Sequence, residues 1–300
     1  MSRRIYPAFV TLIGGLGLGL ALTYLIGVVL AFVPGWEDWA DFFVPRALYL
    51  VLIPYVLLIA HMVLRNHVGR FLLGRQAFEE AVEYAGKRME ASIIRSRREV
   101  ANQRIVCARA HIGLGNYDEA RSILEGGDDE LPGSYAMEAR RWKMELALRD
   151  DDRQWADELA IDDATSEKSA RGQLAAILAC QAELALRRDD KERYQEWIED
   201  AMWEDASHPR VRMSRALAMA AYEAEDESSD EVLDLLEELR EPMGQMIPAR
   251  GAEIDALRAR VLKRRGRDDE AKQLLEGIGE QPKDGWTTKV VEETRDRGFA

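Results

Sequence analysis

The sequence predicts an all-α protein in which an N-terminal membrane hairpin is followed by an α-solenoid of about five helix pairs. Two long apolar segments lie within residues 1–64, apolar residues recur at helical spacing beyond them, and helix-breaking turns return at a nearly constant interval. These patterns divide the chain into a transmembrane hairpin, a juxtamembrane helix with a partial repeat, the repeats, and a C-terminal capping segment, at residues 1–64, 65–97, 98–280 and 281–300.

Both apolar segments are long enough to cross a bilayer. Residues 8–33 carry no charge, and residues 42–64 carry only Arg46, near the start of the segment. At about 1.5 Å per helical residue, the first segment reaches about 39 Å, longer than a hydrocarbon core of about 30 Å. A cleaved signal peptide is the alternative for the first segment, but its apolar part is too long and no small-x-small cleavage site lies directly before the break at Pro34. We therefore predict two retained spans in contact with the lipid bilayer.

The charges that flank the spans predict their orientation. Arg3 and Arg4 precede the first span and Arg65 follows the second, whereas residues 34–41 between them hold three carboxylates and no basic residue. By the positive-inside rule, both termini and the repeats are cytoplasmic, as in a multi-pass protein of a bacterial-type inner (plasma) membrane.

A glycine pattern in the first span predicts close helix packing. Gly15 and Gly19 form a GxxxG motif, which lets a neighbouring helix backbone approach closely. The second span is the favoured neighbour, because it is always present at high effective concentration. Homo-oligomerisation through the hairpin is the alternative.

Composition disfavours several classes of function. The net charge of −13 repels phosphate backbones, so we expect no nucleic-acid partner. The two cysteines, Cys107 and Cys180, lie far apart inside helical patterns, which suits free thiols rather than a disulfide or a zinc site. No P-loop, HExxH, GxSxG or GxGxxG motif is present. We expect no catalytic residues, no metal, no cofactor and no enzymatic activity.

The repeats are predicted from the spacing of their turns. Breaks between helical patterns fall near residues 115, 151, 189, 226 and 266, so successive steps are 36, 38, 37 and 40 residues. A single helix pair cannot bury its own apolar face, but stacked pairs can. The repeats are therefore expected to form one elongated stack.

Two turns define the repeat most clearly. Gly115 closes one helix, and Asn116, with Glu119 three residues later, is placed to cap the next; a second copy of this turn begins at Gly266. At the middle turns Asp replaces Gly, and we expect Asp caps there. The residues that carry the pattern are Ala108, Gly115, Tyr117 and Ala120 in the first copy and Ala259, Gly266, Ala271 and Leu275 in the last.

These residues resemble the tetratricopeptide repeat (TPR) family, over about residues 77–278. The resemblance implies a right-handed solenoid whose first helices line a groove for a protein or peptide partner. It places eight residues in that groove: Asn102, Ile105, Arg109, Ile112, Glu253, Arg260, Lys263 and Arg264. Ile105 and Arg109 replace the Lys and Asn of the family's carboxylate clamp, which argues against chaperone tails as the ligand. The basic groove residues of the last repeat favour an acidic partner.

Two functions remain open at this point. The first is a membrane-anchored scaffold or adaptor, whose cytoplasmic repeats recruit or assemble a membrane-associated complex. The second is a regulatory subunit of an oligomeric channel or transport complex built on the Gly-rich hairpin. Trp142, Trp155, Trp197 and Trp203 are expected to fill gaps between helix pairs rather than to form a ligand cage.

Overall fold

A computed structural model describes residue 35 and residues 67–90, 97–126, 131–161, 171–222, 229–280 and 284–296. Throughout these ranges the secondary structure is helical and no strand occurs. No helix within them combines the length and the apolarity needed to cross a bilayer. The predicted spans at residues 8–33 and 42–64, with Gly15 and Gly19, lie outside the described residues.

Antiparallel helix pairs follow one another along the described chain. Helical residues 67–74 pair with α1 (Phe78–Glu90). The later helices are α2 (Arg97–Gly113), α3 (Tyr117–Glu125), α4 (Gly133–Arg149), α5 (Arg153–Glu158), α6 (Arg171–Arg187), α7 (Lys191–Asp205), α8 (Pro209–Tyr222), α9 (Ser229–Met246), α10 (Pro248–Arg264), α11 (Asp268–Gly277), a 3-10 helix (Ile278–Glu280) and α12 (Gly285–Asp296). The all-α prediction is confirmed for the described residues, and the predicted breaks fall between the two helices of each pair from α2 onward.

The turns repeat one backbone geometry with different residues. Gly115 and Gly266 take positive φ angles of 78° and 70° before the second helix of their pairs, which glycine adopts at no steric cost. In the middle pairs Asp151 and Asp189 take this conformation, with φ angles of 53° and 57°. Aspartate tolerates the left-handed region better than most residues do. The repeat is therefore preserved in geometry where its glycine is lost.

At the turns of Asp151 and Asp189, the next residue caps the following helix. The Asp152 carboxylate accepts the N–H of Trp155 at 3.0 Å, and Asp190 accepts the N–H of Arg193 at 3.1 Å. These contacts confirm the Asp caps. Asn116 stands at the same place, but its side chain makes no capping hydrogen bond, so that expectation is wrong. Only its backbone carbonyl starts α3, by accepting the N–H of Ala120 at 3.1 Å.

Small residues bring the helices of each pair together. Ala108 and Ala120 of the first copy and Ala259 and Ala271 of the last have no exposed surface, and Leu275 is buried with them. Alanine leaves room for close approach of two helix backbones, so these positions serve as the packing sites that the sequence pattern predicted.

The first helices of the later pairs and the C-terminal helix close a ring instead of an open stack. Helices α4, α6, α8, α10 and α12 each contact the next, and α12 returns to contact α4. Ile247 and Ala249 at the start of α10 belong to the same hydrophobic cluster as Met144 and Leu148 of α4. In a simple solenoid each repeat contacts only its neighbours. The expected elongated stack is therefore corrected, because its later part folds back on α4.

We predict that Gly113→Ala destabilises the α1–α2 pair. A Cβ atom at Gly113 would lie 2.5 Å from the Phe78 ring, whereas a Cβ at Gly86 of α1 meets nothing within 4 Å. Overpacking costs about 1–3 kcal/mol, whereas Gly→Ala in an open helical position stabilises by about 0.5–1 kcal/mol. Thermal unfolding of the full chain in detergent should give a lower midpoint for Gly113→Ala and an unchanged or higher one for Gly86→Ala. Equal midpoints would contradict the packing of Phe78 on α2.

Candidate functional site

The predicted groove residues are mostly occupied by contacts within the chain. Asn102, Ile105, Ile112 and Glu253 are buried, with Glu253 fully so. Arg260 and Lys263 bond to Thr294 of α12, at 3.2 and 2.7 Å, and Arg264 donates to the Ala220 carbonyl at 2.7 Å. The capping helix thus engages Arg260 and Lys263, whereas Arg264 bonds to α8 and stays exposed. The side chain of Arg109 is 25% exposed and lies 3.9 Å from Glu138 of α4.

The centre of the ring is filled by ionic side chains. Four arginines and four carboxylates meet there, every one of these side chains nearly or fully buried. We call this set the central ion cluster. Its members are Glu145, Arg149, Glu183, Arg187, Arg210, Arg250, Glu253 and Asp284.

Arg250 and Arg210 tie distant helices to the same two carboxylates. Arg250 of α10 donates from Nε to Glu145 Oε1 at 3.0 Å and lies 3.2 Å from Glu183 Oε2, although Glu145 is 105 residues away in sequence. Arg210 of α8 donates to Glu145 Oε2 at 2.8 Å and also pairs with Glu183. Charge-assisted bonds of this kind are strong in a dry interior. They hold α4, α6, α8 and α10 together.

Arg149 connects the cluster to the C-terminal helix. Its Nη1 atom lies 3.0 Å from Glu253 Oε2 and 3.2 Å from Asp284 Oδ2. Asp284 also caps α12 by accepting the N–H of Thr287 at 2.6 Å. The Tyr117 hydroxyl donates to Asp284 at 3.4 Å across 167 residues. Tyr117 therefore links the first clear repeat to the last helix, beyond its predicted place in a turn.

Trp286 of α12 closes one side of the cluster. Its Nε1–H donates to Glu253 Oε1 at 2.9 Å, and the Arg187 guanidinium carbon lies 3.4 Å from the ring centroid. A guanidinium stacked on indole gains a cation–π attraction that grows when water is excluded. The capping helix thus contributes an aromatic lid as well as a carboxylate.

The cluster keeps its carboxylates ionised despite their burial. Burial alone would raise the pKa of Glu145, but Arg210, Arg250 and Arg149 overcome it and hold that pKa well below its ordinary value. The same balance, with Arg210 and Arg250 as the main cations, lowers the pKa of Glu183. Burial raises the pKa of the Cys180 thiol, which donates to Glu145 at 3.6 Å, to about 12. Cys180 is therefore a neutral thiol at pH 7.

A second charged site lies where α2 meets α4, and it has more cations than anions. Arg70 donates to Glu138 at 2.9 Å, and Arg109 lies 3.9 Å from the same carboxylate. The guanidinium carbons of Arg109 and Arg141 lie 4.9 and 4.8 Å from the Trp142 ring centroid. We call Arg70, Arg109, Arg141, Glu138 and Trp142 the arginine site. Arg70 and Arg109 share Glu138, whereas Arg141 donates to Gln173 at 3.3 Å.

Accessibility and pKa both distinguish this site from the central cluster. The side chains of Arg70 and Arg109 are 41% and 25% exposed, whereas that of Glu138 is 9% exposed. Burial lowers the pKa of Arg109 to about 10; Glu138 opposes this change, and the neighbouring cations Arg141 and Arg70 add to it. Arg109 is still charged at pH 7, and an additional anion would stabilise it.

Helical periodicity alone does not predict the central ion cluster, but the spacing of its charged residues in the sequence carries a signal for it. Glu145 and Arg149 recur as Glu183 and Arg187, a step of 38 residues that equals the step between the breaks at 151 and 189. Likewise Arg210 recurs as Arg250, a step of 40 residues that equals the step between 226 and 266. Charged residues that recur at the repeat interval occupy equivalent positions on first helices, and here those positions face the ring interior.

The tryptophans do not all fill gaps between pairs. Trp142 and Trp155 are buried, and Trp197 is half-buried against α6 and its neighbours. Trp203 is 89% exposed, so the expectation for that residue is wrong. Within the described ranges, no group of three or more His, Cys, Asp or Glu side chains is arranged to hold a metal ion.

Comparison with known proteins adds little to this geometry. No family model and no curated protein matches the chain. A crystal structure of nearly identical TPR-like repeats from a Podosopora anserina protein described as a kinesin light chain is similar, with 16% identity and a TM-score of 0.28, over 79% of this chain and 97% of the other. A TM-score this low does not establish a shared fold.

We predict that Arg250→Met is strongly destabilising. The change removes the partner of Glu145, Glu183 and Glu253, and uncompensated buried charges cost about 3–5 kcal/mol. Arg212→Met is the matched control, because Arg212 pairs with Glu238 at the surface, where such pairs contribute about 0–1 kcal/mol. Urea unfolding of the full chain in detergent measures both changes. Similar losses for the two variants would contradict the closed ring.

We also predict a specific pH dependence for Glu145→Gln. The pKa of Glu145 is lower in the folded chain than in the unfolded chain, so its charge stabilises the fold fully above the unfolded pKa of about 4.3 and progressively less below it. The difference in unfolding free energy between wild type and Glu145→Gln should be constant from about pH 5 to 7. It should shrink below about pH 4. A difference that grows as the pH falls would show that Glu145 is not held ionised.

Proposed function

We propose that the chain is a membrane-anchored scaffold that binds an acidic segment of another protein at the arginine site. The observation that supports this is the charge balance of the site on a protein with a net charge of −13. Arg70 and Arg109 share the buried Glu138, and the guanidinium of Arg141 lies on the same Trp142 ring as that of Arg109. The central ion cluster, by contrast, is balanced and buried. The arginine site is therefore the better candidate for an anionic partner.

Carboxylate side chains fit the chemistry of this site. Guanidinium groups pair with carboxylates through two parallel hydrogen bonds, and the pairing is stronger where water is partly excluded. A partner carboxylate beside Arg109 would also oppose the burial, and the smaller repulsion from Arg141 and Arg70, that lower the pKa of Arg109. The Trp142 ring, below both Arg109 and Arg141, holds these guanidiniums in place before the partner arrives.

The predicted membrane anchor would determine where in the cell the arginine site lies. The two apolar segments at residues 8–33 and 42–64 would hold the stack at the cytoplasmic face of a membrane. Tethering raises the effective concentration of the site near membrane-associated partners by bringing them into the same small volume. A scaffold that recruits or assembles a membrane-associated complex is the role that follows.

We predict that Arg109→Glu abolishes capture of the partner. The reversed charge faces Glu138 and would repel an acidic segment, at a cost of several kcal/mol in affinity. The measurement is affinity purification of the full chain in mild detergent with quantitative mass spectrometry. Lys272→Glu on α11 is the control, because this exposed lysine makes the same charge change far from the site.

Two results would contradict the proposal. In the first, the wild-type chain, Arg109→Glu and Lys272→Glu all recover the same protein in equal amounts. In the second, the wild-type chain recovers no protein above background. A thermal unfolding curve of Arg109→Glu confirms that the variant is folded. The milder Arg109→Gln, which removes the charge without reversing it, should retain an intermediate amount of partner.

A further inference from the structure

The last turn of α7 presents a large apolar surface to solvent. Trp203 is 89% exposed and Met202 is 37% exposed, whereas Ile198 and Ala201 on the inner side of the same helix are buried against α6. A tryptophan removes more apolar surface from water than most side chains when it is covered, and it is enriched among the residues that dominate binding interfaces. Trp203 contributes nothing to the packing of its own helix pair.

The surface around Trp203 is acidic. Glu196, Glu199 and Asp200 are exposed and lie one and two helical turns before Trp203, on the same face of α7. Helical side chains lean toward the N-terminus, which places the indole ring over the turn that contains Glu199 and Asp200. Within the described structure these three carboxylates form no ion pair. The C-terminal end of α7 adds partial negative charge next to them.

We propose that the Trp203 surface, formed by Glu196, Glu199, Asp200, Met202 and Trp203, binds a basic amphipathic segment of a partner protein. The apolar side of the segment would cover Trp203 and Met202. Its Lys or Arg side chains would pair with the carboxylates and lie over the indole face, where a cation is attracted by the ring. Charge complementarity of this kind selects the partner and orients it.

Charge also argues against the other occupants of such a surface. Anionic lipid headgroups and nucleic-acid phosphates would be repelled by these three carboxylates, whose charges no described basic residue neutralises. Two copies of the chain that met symmetrically through this surface would bring six carboxylates together. The surface lies on α7, separate from the arginine site on α2 and α4. It shares with the proposed function only the assumption that the partner is a protein.

The test is a photo-crosslinker, p-benzoyl-phenylalanine, placed at position 203 of the full chain in cells, with position 273 on α11 as the matched exposed control. Gln273 is exposed on a different helix pair. We expect a crosslink from position 203 only, to a segment of another protein that carries net positive charge and apolar residues. The triple change Glu196→Lys, Glu199→Lys and Asp200→Lys should reduce the yield about tenfold. Higher salt should reduce it as well.

Four outcomes would overturn the proposal. In the first, position 203 crosslinks only to another copy of the chain or to lipid. In the second, the crosslinked segment of the partner has no net positive charge. In the other two, the charge reversal leaves the crosslink yield unchanged, or position 203 gives no more crosslink than position 273. Because Trp203→Ser removes no buried contact, its thermal midpoint should stay within about 2 °C of wild type, which separates binding from folding. The crosslink should persist in Arg109→Gln, so failure here is distinguishable from failure at the arginine site.

Discussion

Eight buried charges determine how the helices of this protein can be arranged. Each member of the central ion cluster lies in a dry interior, where an unpaired charge costs several kcal/mol. Glu145 needs both Arg210 and Arg250, and Arg149 needs both Glu253 and Asp284. These requirements are met together only when α4, α6, α8, α10 and α12 close the ring in one register. Hydrophobic contacts between the helices would tolerate several registers, since they are not directional.

Closing the ring changes where a partner could bind. The inner face, which an open stack would offer as a groove, is occupied by the ion cluster and by α12. On the described part of the chain, the arginine site and the Trp203 surface on α7 remain open to solvent. The two surfaces have opposite charge: the arginine site suits an acidic partner segment, and the Trp203 surface suits a basic one.

Local features of the fold could be predicted because they depend on residues close in sequence. A turn of this kind needs one residue that tolerates a positive φ angle, followed by a residue that starts a helix. Gly115 and Asp151 take the positive φ angle in their turns. The spacing of these turns therefore revealed the helix pairs. The turn at Gly115 was placed correctly, but the predicted side-chain cap from Asn116 is absent. Side-chain capping depends on the rotamer that the surrounding helices allow. The prediction that Trp203 fills a gap between helix pairs was wrong, because the apolar pattern of a helix does not show which of its large residues neighbouring helices will cover.

By itself, the sequence determined that the chain after residue 65 folds into helix pairs, and it placed their turns and their small packing residues. Only the tertiary structure decided that the stack closes into a ring, that Glu253 is buried inside it, that Arg260 pairs with α12, and that Arg109 remains partly exposed. The physical reason is distance along the chain. The contacts that close the ring join residues more than 100 positions apart, and such contacts leave no mark in local helical periodicity beyond charges that recur at the repeat interval.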